Sequence, residues 1–207
     1  MVGIGLVYAL AFGATAFVFF KMLGIWAALP FALLGLLCVW FFRDPDRVIP
    51  DGPVAVSPAD GKVVLVRRKP ESTQISIFLN IFDVHVNRAP IGGKIVGIEY
   101  KPGKFLVASK EEASLQNEMN TFTIDGDHTL VRFSQIAGLI ARRIVCWKKQ
   151  GDFVTKGERV GLIQFSSRVD AHFGPEWEVT VRDGDRVKAG SSIIAKRIEA
   201  PPSERVL

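Results

Sequence analysis

Apolar residues fill the opening of the chain almost without a break. Residues 2–20 and 22–42 form two apolar runs separated by a single charge, Lys21. Each run is close to the roughly 20 residues needed to cross the hydrocarbon core of a bilayer. Two full spans require a tight helical hairpin near Lys21 and Gly24; one span followed by a helix lying on the surface satisfies the same pattern. A removable signal peptide fits less well, because no basic segment precedes the run and no small-residue cleavage site follows it. At Phe41-Phe42-Arg43-Asp44-Pro45-Asp46-Arg47 the texture changes to interfacial aromatics, then charges, then a proline that stops the helix.

Beyond Pro50 the pattern becomes short β-rich runs cut by Gly, Pro and Asp. Residues 63–66, 75–79, 94–98, 121–124, 130–133 and 143–147 read as strands, and residues 109–116 as one short helix. Regular short strands of this kind close into sandwiches or barrels. An internal echo sharpens the class. Gly151-Asp152-Phe153-Val154-Thr155-Lys156-Gly157 and Gly184-Asp185-Arg186-Val187-Lys188-Ala189-Gly190 share the form G-D-x-V-x-x-G ahead of an apolar run. That pattern resembles the barrel-sandwich fold of biotinyl and lipoyl carrier domains. The expected fold is therefore mainly β and barrel-sandwich-like, in a domain of residues 43–207 behind an anchor of residues 1–42. A carrier function is the competing reading, although no lysine stands in the Met-Lys-Met or Asp-Lys-Ala setting that a modified hairpin needs.

Composition narrows the partners. At 207 residues the chain holds about one domain plus the apolar leader, and nearly all of the +5 net charge lies after the leader. Basic residues beside an apolar anchor favour an anionic phospholipid membrane, and Arg43 and Arg47 place the following domain on the cytoplasmic side. No basic patch interleaved with aromatics points to nucleic acid. Cys38 and Cys146 lie in unlike surroundings and are not expected to pair. His85, His128 and His172 lack any metal-ligand spacing, so no metal is expected.

Three stretches carry candidate chemistry. In Gly161-Leu162-Ile163-Gln164-Phe165-Ser166-Ser167-Arg168-Val169-Asp170, two serines interrupt an apolar strand. In Ser57-Pro58-Ala59-Asp60-Gly61-Lys62, Asp60 sits in a turn, where Asp-Gly is common for structural reasons. In Phe82-Asp83-Val84-His85-Val86-Asn87-Arg88-Ala89-Pro90, strand alternation puts Asp83, His85 and Asn87 on one face. His128 reads as a solvated turn residue, and His172 is open between a structural and a chemical role.

Together with Phe41 to Pro45, Asn117-Glu118 and Gln135-Ile136-Ala137-Gly138, these motifs resemble, in order and over nearly the whole chain, the phosphatidylserine decarboxylase proenzymes of the short prokaryotic type. The resemblance implies a self-processing enzyme that converts phosphatidylserine to phosphatidylethanolamine and carbon dioxide. Matching Phe165-Ser166-Ser167-Arg168 to the family's Phe-Gly-Ser-Arg makes Ser167 the nucleophile. Cleavage at Ser166-Ser167 would then give a β chain of residues 1–166 and an α chain of residues 167–207. Ser167 becomes an N-terminal pyruvoyl cofactor that forms a Schiff base with the substrate amine. His85 is the implied base and Asp60 the residue that orients it. A homodimer is the assembly the family suggests. Ser166 departs from the family's glycine, and its Cβ leaves three outcomes open: slower cleavage at Ser166-Ser167, a cut moved to Phe165-Ser166, or none.

Overall fold

A computed structural model of the chain describes residues 2–103, 117–138, 143–164 and 167–198. The helix expected at 109–116 lies outside the described residues, as do Phe165 and Ser166. Two compact units result, one of residues 1–46 with 81–84 and one of residues 47–80 with 85–207.

The first unit is a pair of helices, α1 (Gly3–Leu23) and α2 (Ile25–Phe41), joined through Gly24. The apolar leader is therefore a hairpin that turns where the sequence supplies its glycine. Small residues let the helices approach: Gly35 faces Phe12 and Gly13, and the rings of Phe19 and Phe31 meet at 4.6 Å. Val2 N–H donates to the Phe42 carbonyl at 2.9 Å, which ties the two ends of the hairpin together. Large apolar side chains point outward, and Leu10, Phe17, Met22, Trp26 and Leu36 are each more than half exposed. A hairpin built for water shows the reverse pattern. With 21 residues α1 is long and apolar enough to cross a membrane, whereas the 17 residues of α2 fall short of the usual ~20.

The second unit is mainly β, with every pairing antiparallel. Its strands are β1 (Val54–Val56), β2 (Gly61–Lys69), β3 (Ser72–Leu79), β4 (Val86–Arg88), β5 (Gly93–Lys101), β6 (Met119–Gly126) and β7 (Thr129–Ala137). They continue as β8 (Arg143–Cys146), β9 (Phe153–Val154), β10 (Arg159–Gln164), β11 (Ser167–Phe173), β12 (Trp177–Val179), β13 (Arg186–Val187) and β14 (Ile193–Arg197). Eight of them form one sheet in the order β13-β2-β3-β11-β7-β6-β5-β9. Two smaller sheets run β1-β14-β12 and β4-β10-β8.

These orders read the same from both ends. Strands β1, β2, β3, β11, β12, β13 and β14 map in turn onto β4, β5, β6, β7, β8, β9 and β10, and each pairing in one set has its counterpart in the other. Backbone contacts repeat as well. Val63 N–H donates to Asp185 O at 2.8 Å and Ile95 N–H to Asp152 O at 2.8 Å. Gly190 N–H reaches Ser57 O and Gly157 N–H reaches Ala89 O, both at 2.8 Å. Gly61 and Gly93 open equivalent strands at φ +151° and +153°, where a Cβ would come within 2.2 Å of the carbonyl oxygens of Phe78 and Asp125. The G-D-x-V-x-x-G echo is thus the visible part of a fold duplication. One copy is continuous, residues 86–164, and is inserted into the other, which is split into residues 54–79 and 167–197.

A single apolar core joins the copies. It includes Ile75, Ile77 and Val63 from one and Phe122, Ile124 and Phe133 from the other, with Phe122 and Phe133 stacked at 4.8 Å. The β6–β7 hairpin turns at Asp127 and His128, with φ of 40° and 60°, the two positive values a tight primed turn requires. Its histidine side chain is 93% exposed, as expected of a solvated turn residue.

Candidate active site

The insertion creates two seams. At one the chain leaves β3 after Leu79 and enters β4 at Val86; at the other it leaves β10 after Gln164 and enters β11 at Ser167. Register brings the seams together, because Ser167 pairs directly with Leu79 on one side and with Ala137 on the other. His85 belongs to the first seam. Its carbonyl accepts from Ile163 N–H at 3.3 Å, on the strand that leads to Ser167. Both residues are fully buried.

Strand alternation then sorts the side chains of β11. Ser167 shares a face with Val169, Ala171 and Phe173, which belong to the core, while Arg168, Asp170 and His172 take the opposite face. Among the described residues, three buried side-chain atoms have no hydrogen-bond partner: Ser167 Oγ, Gln164 Nε2 and His85 Nε2. All three belong to residues at or beside the seams. Buried polar atoms in this state are uncommon, and a water, a ligand or a chemical role accounts for each.

Asp60 is held firmly in place. Arg47 Nη2 bridges its two carboxylate oxygens at 3.0 and 2.8 Å, and Ala189 N–H donates to Oδ1 at 2.8 Å. The duplication tests whether the turn itself needs this carboxylate. Pro58-Ala59-Asp60-Gly61-Lys62 corresponds to Pro90-Ile91-Gly92-Gly93-Lys94, where the same turn is made with Gly92 in place of Asp60. A purely structural turn does not require the aspartate. The Asp60 turn is also joined to the strand after His85, since Pro58 O accepts from Arg88 N–H at 3.0 Å and from Asn87 Nδ2 at 3.4 Å.

Two arrangements were not foreseen from sequence. A buried amide chain runs from Asn120 Nδ2 to Gln135 Oε1 at 3.1 Å, and from Gln135 Nε2 to Asn87 Oδ1 at 2.9 Å. It links β6, β7 and β4 behind the seams, so that three motifs far apart in sequence meet in one network. Gly161 allows the approach, because a Cβ there would come within 2.4 Å of Val145 O and 3.0 Å of Gln135 Nε2. On the other face of β11, Arg168 Nε and Nη2 donate to Asp170 at 2.6 and 3.1 Å, while Ser76 and Gln74 complete the buried pair. The i, i+2 spacing of Arg168 and Asp170 in a strand was the available signal.

His172 lies on that second face, away from the face of Ser167, and lines a cleft of about 540 Å³ with Gln74, Arg132, Ser134 and Asp170. Burial pushes its imidazole below the ordinary value, reinforced by Arg132, Lys69 and Arg168 and opposed by Asp170. Cys38 and Cys146 are both free thiols. Among the described residues no cluster of His, Cys and carboxylate groups is placed to hold a metal ion.

The duplicated antiparallel fold buries serine, histidine and amide groups at its internal seams, whereas a carrier domain presents a lysine on an exposed turn. The family profile for phosphatidylserine decarboxylase matches residues 34–195. A phosphatidylserine decarboxylase proenzyme of Solibacter usitatus is 59% identical over 199 residues, covering 96% of this chain and 98% of the relative. One from Syntrophus aciditrophicus is 43% identical over 199 residues, covering 91% and 93%. The chain belongs to the phosphatidylserine decarboxylase family.

Proposed function

We propose that this chain cleaves itself before Ser167 to make a pyruvoyl group, and that the product removes the carboxylate of phosphatidylserine as carbon dioxide, leaving phosphatidylethanolamine. The observation that carries this reading is Ser167: fully buried, its Oγ without a hydrogen bond, at the head of a central strand and at the position the family motif gives to the nucleophile. In the first step Ser167 Oγ attacks the carbonyl carbon of Ser166 while His85 takes the hydroxyl proton. The acyl group moves from nitrogen to oxygen and forms an ester. Loss of the Cα proton of residue 167 then expels the Ser166 carboxylate and leaves dehydroalanine, which takes up water and releases ammonia.

The residues at the seam fit the group that results. Ser167 is enclosed by β3 and β7, and among the described residues Gln164 Nε2, a buried donor at the same junction, has no acceptor. The pyruvoyl group supplies the electron sink that pyridoxal supplies in other decarboxylases. His85 returns a proton to the carbon that loses carbon dioxide. Asp60, fixed by Arg47 and Ala189, is the residue the family motif assigns to orienting that imidazole. The apolar hairpin anchors the chain in the membrane with α1 spanning it, and Arg43 and Arg47 keep the β unit on the cytoplasmic side.

Intact mass tests the first half of this reading. The purified chain is expected as two fragments in place of one species of 22.8 kDa, with a pyruvoyl at residue 167. Ser167→Ala and His85→Ala are expected to stay uncut and to release no carbon dioxide from phosphatidylserine vesicles. A wild-type chain that remains whole overturns the proposal; a pyruvoyl at residue 166 moves the site by one position.

A further inference from the structure

Arg43, Trp40 and Phe82 build a feature that neither self-cleavage nor decarboxylation uses. With Leu36, Leu37 and Val39 of α2 they line a groove of about 650 Å³. Ligand-holding clefts commonly fall in the range ~300–1,000 Å³. The groove is apolar except at one end. There the Arg43 guanidinium stacks on the Trp40 ring, 4.3 Å from its centroid, while Nη1 donates to Trp40 O at 2.8 Å and Nη2 to Phe82 O at 2.5 Å. Those carbonyls fix the plane of the guanidinium but occupy only two of its five N–H donors. Phe82 is 67% exposed and Trp40 54%, and segment 81–84 belongs to the same compact unit as the helices. An apolar helix face, an exposed aromatic on a loop and a fixed cation at the rim therefore form one body.

We propose that this groove binds a membrane phospholipid, with an acyl chain along Leu36, Leu37 and Val39 against Phe82 and the phosphate on the open edge of Arg43. The inference rests on the membrane reading given above. Charge and position select the occupant. The groove lies on a helix that is apolar all round, and its cation sits beside an indole at the end of that helix, the level at which bilayer phosphates lie. A protein partner docking on this face would meet no polar rim except Arg43. The carboxylates nearest in sequence, Asp44, Asp46 and Asp83, have contacts of their own. The loop so gripped leads directly in sequence to His85.

Quenching of Trp40 by brominated lipid tests this without any turnover. The full chain carrying Ser167→Ala, with Trp26→Phe and Trp147→Phe, leaves Trp40 as the exposed indole, since Trp177 is buried. It is placed in phosphatidylcholine nanodiscs containing either phosphatidylglycerol or diacylglycerol, each brominated near the glycerol end of its acyl chains. The phospholipid is expected to reach half-maximal quenching at about five-fold lower mole fraction than the diacylglycerol, the preference a single cation gives. Arg43→Gln is expected to merge the two curves, and Phe82→Ala to weaken both alike. Equal curves in the parent, a preference that survives Arg43→Gln, or no effect of Phe82→Ala would each overturn the groove. Failure of the chain to enter nanodiscs at all would instead sink the membrane reading, and flotation of the same samples tells the two apart.

Discussion

Replacing Gln135 by leucine probes the amide network behind the seams. Gln135 is fully buried and joins Asn120 to Asn87 through both ends of its amide. Leucine fills much of the space but satisfies neither neighbour, so Asn120 Nδ2 loses its acceptor and Asn87 Oδ1 its donor. Each orphaned buried group costs about 1–3 kcal/mol. The added apolar burial returns about 1 kcal/mol. The expected net loss is therefore about 3 kcal/mol. For a folded unit of this size each kcal/mol is worth about 2–4 °C, so the melting temperature is expected to fall by roughly 6–12 °C. Scanning calorimetry in the Ser167→Ala background reads this from one covalent species. Pairing the change with Asn87→Leu should cost less than the sum of the two single losses, because both remove the same hydrogen bond. A melting temperature within about 2 °C of the parent, or strict additivity in the pair, would refute the view that these amides hold the seams together.

Other expectations follow from single positions. Ser166→Gly should raise the rate of self-cleavage seen on denaturing gels, because it removes the Cβ beside the reacting carbonyl; an unchanged rate would mean that Ser166 imposes no steric barrier. Gly161→Ala should destabilise the fold and slow cleavage, since its Cβ would come within 2.4 Å of Val145 O. Unaltered cleavage with unaltered melting would contradict that close packing. His172 carries a pH signature. Burial depresses its folded-state pKa below the ordinary 6.5, so its neutral form is favoured in the fold and stability is full above that value. Stability should fall as pH drops from about 6.5 toward the depressed folded value, and His172→Gln should flatten that decline in urea midpoints measured across the range.

Much of the fold was legible because its signals are local. Lys21 and Gly24 mark where α1 gives way to α2, although the apolar pattern left a hairpin and a single span with a surface helix both open; the runs at 63–66 and 75–79 fall inside β2 and β3. Strand lengths were underestimated. β2 continues through Arg67, Arg68 and Lys69, whose charges read as loop but are tolerated on an exposed arm held by pairing to β3. The G-D-x-V-x-x-G echo exposed one seventh of the duplication; the rest is conserved in pairing geometry, where the side chains have diverged. At the site, a serine in an apolar strand and a histidine among polar neighbours draw attention to Ser167 and His85, but the roles proposed for them come from the family resemblance and not from local pattern. The amide chain was not legible, since Asn87, Gln135 and Asn120 acquire meaning only through contacts between distant strands.

The inserted copy fixes an order of events. The proposed cleavage before Ser167 would cut the chain where the outer copy resumes, and the α chain would keep β11, β12, β13 and β14. Those strands remain laced into the rest, β11 between β3 and β7, β13 on β2 and β14 on β1. Before such a cut, folding is a unimolecular search along one chain; after it, recovery from unfolding would be a meeting of two chains, neither of which holds a complete copy of the outer half. On the proposed reaction, activation would be a one-way gate for the molecule's own history. A precursor could then lose and regain its structure, whereas a cleaved form would survive only as long as it avoids opening, and its working lifetime would be set by an unfolding rate and not by an equilibrium.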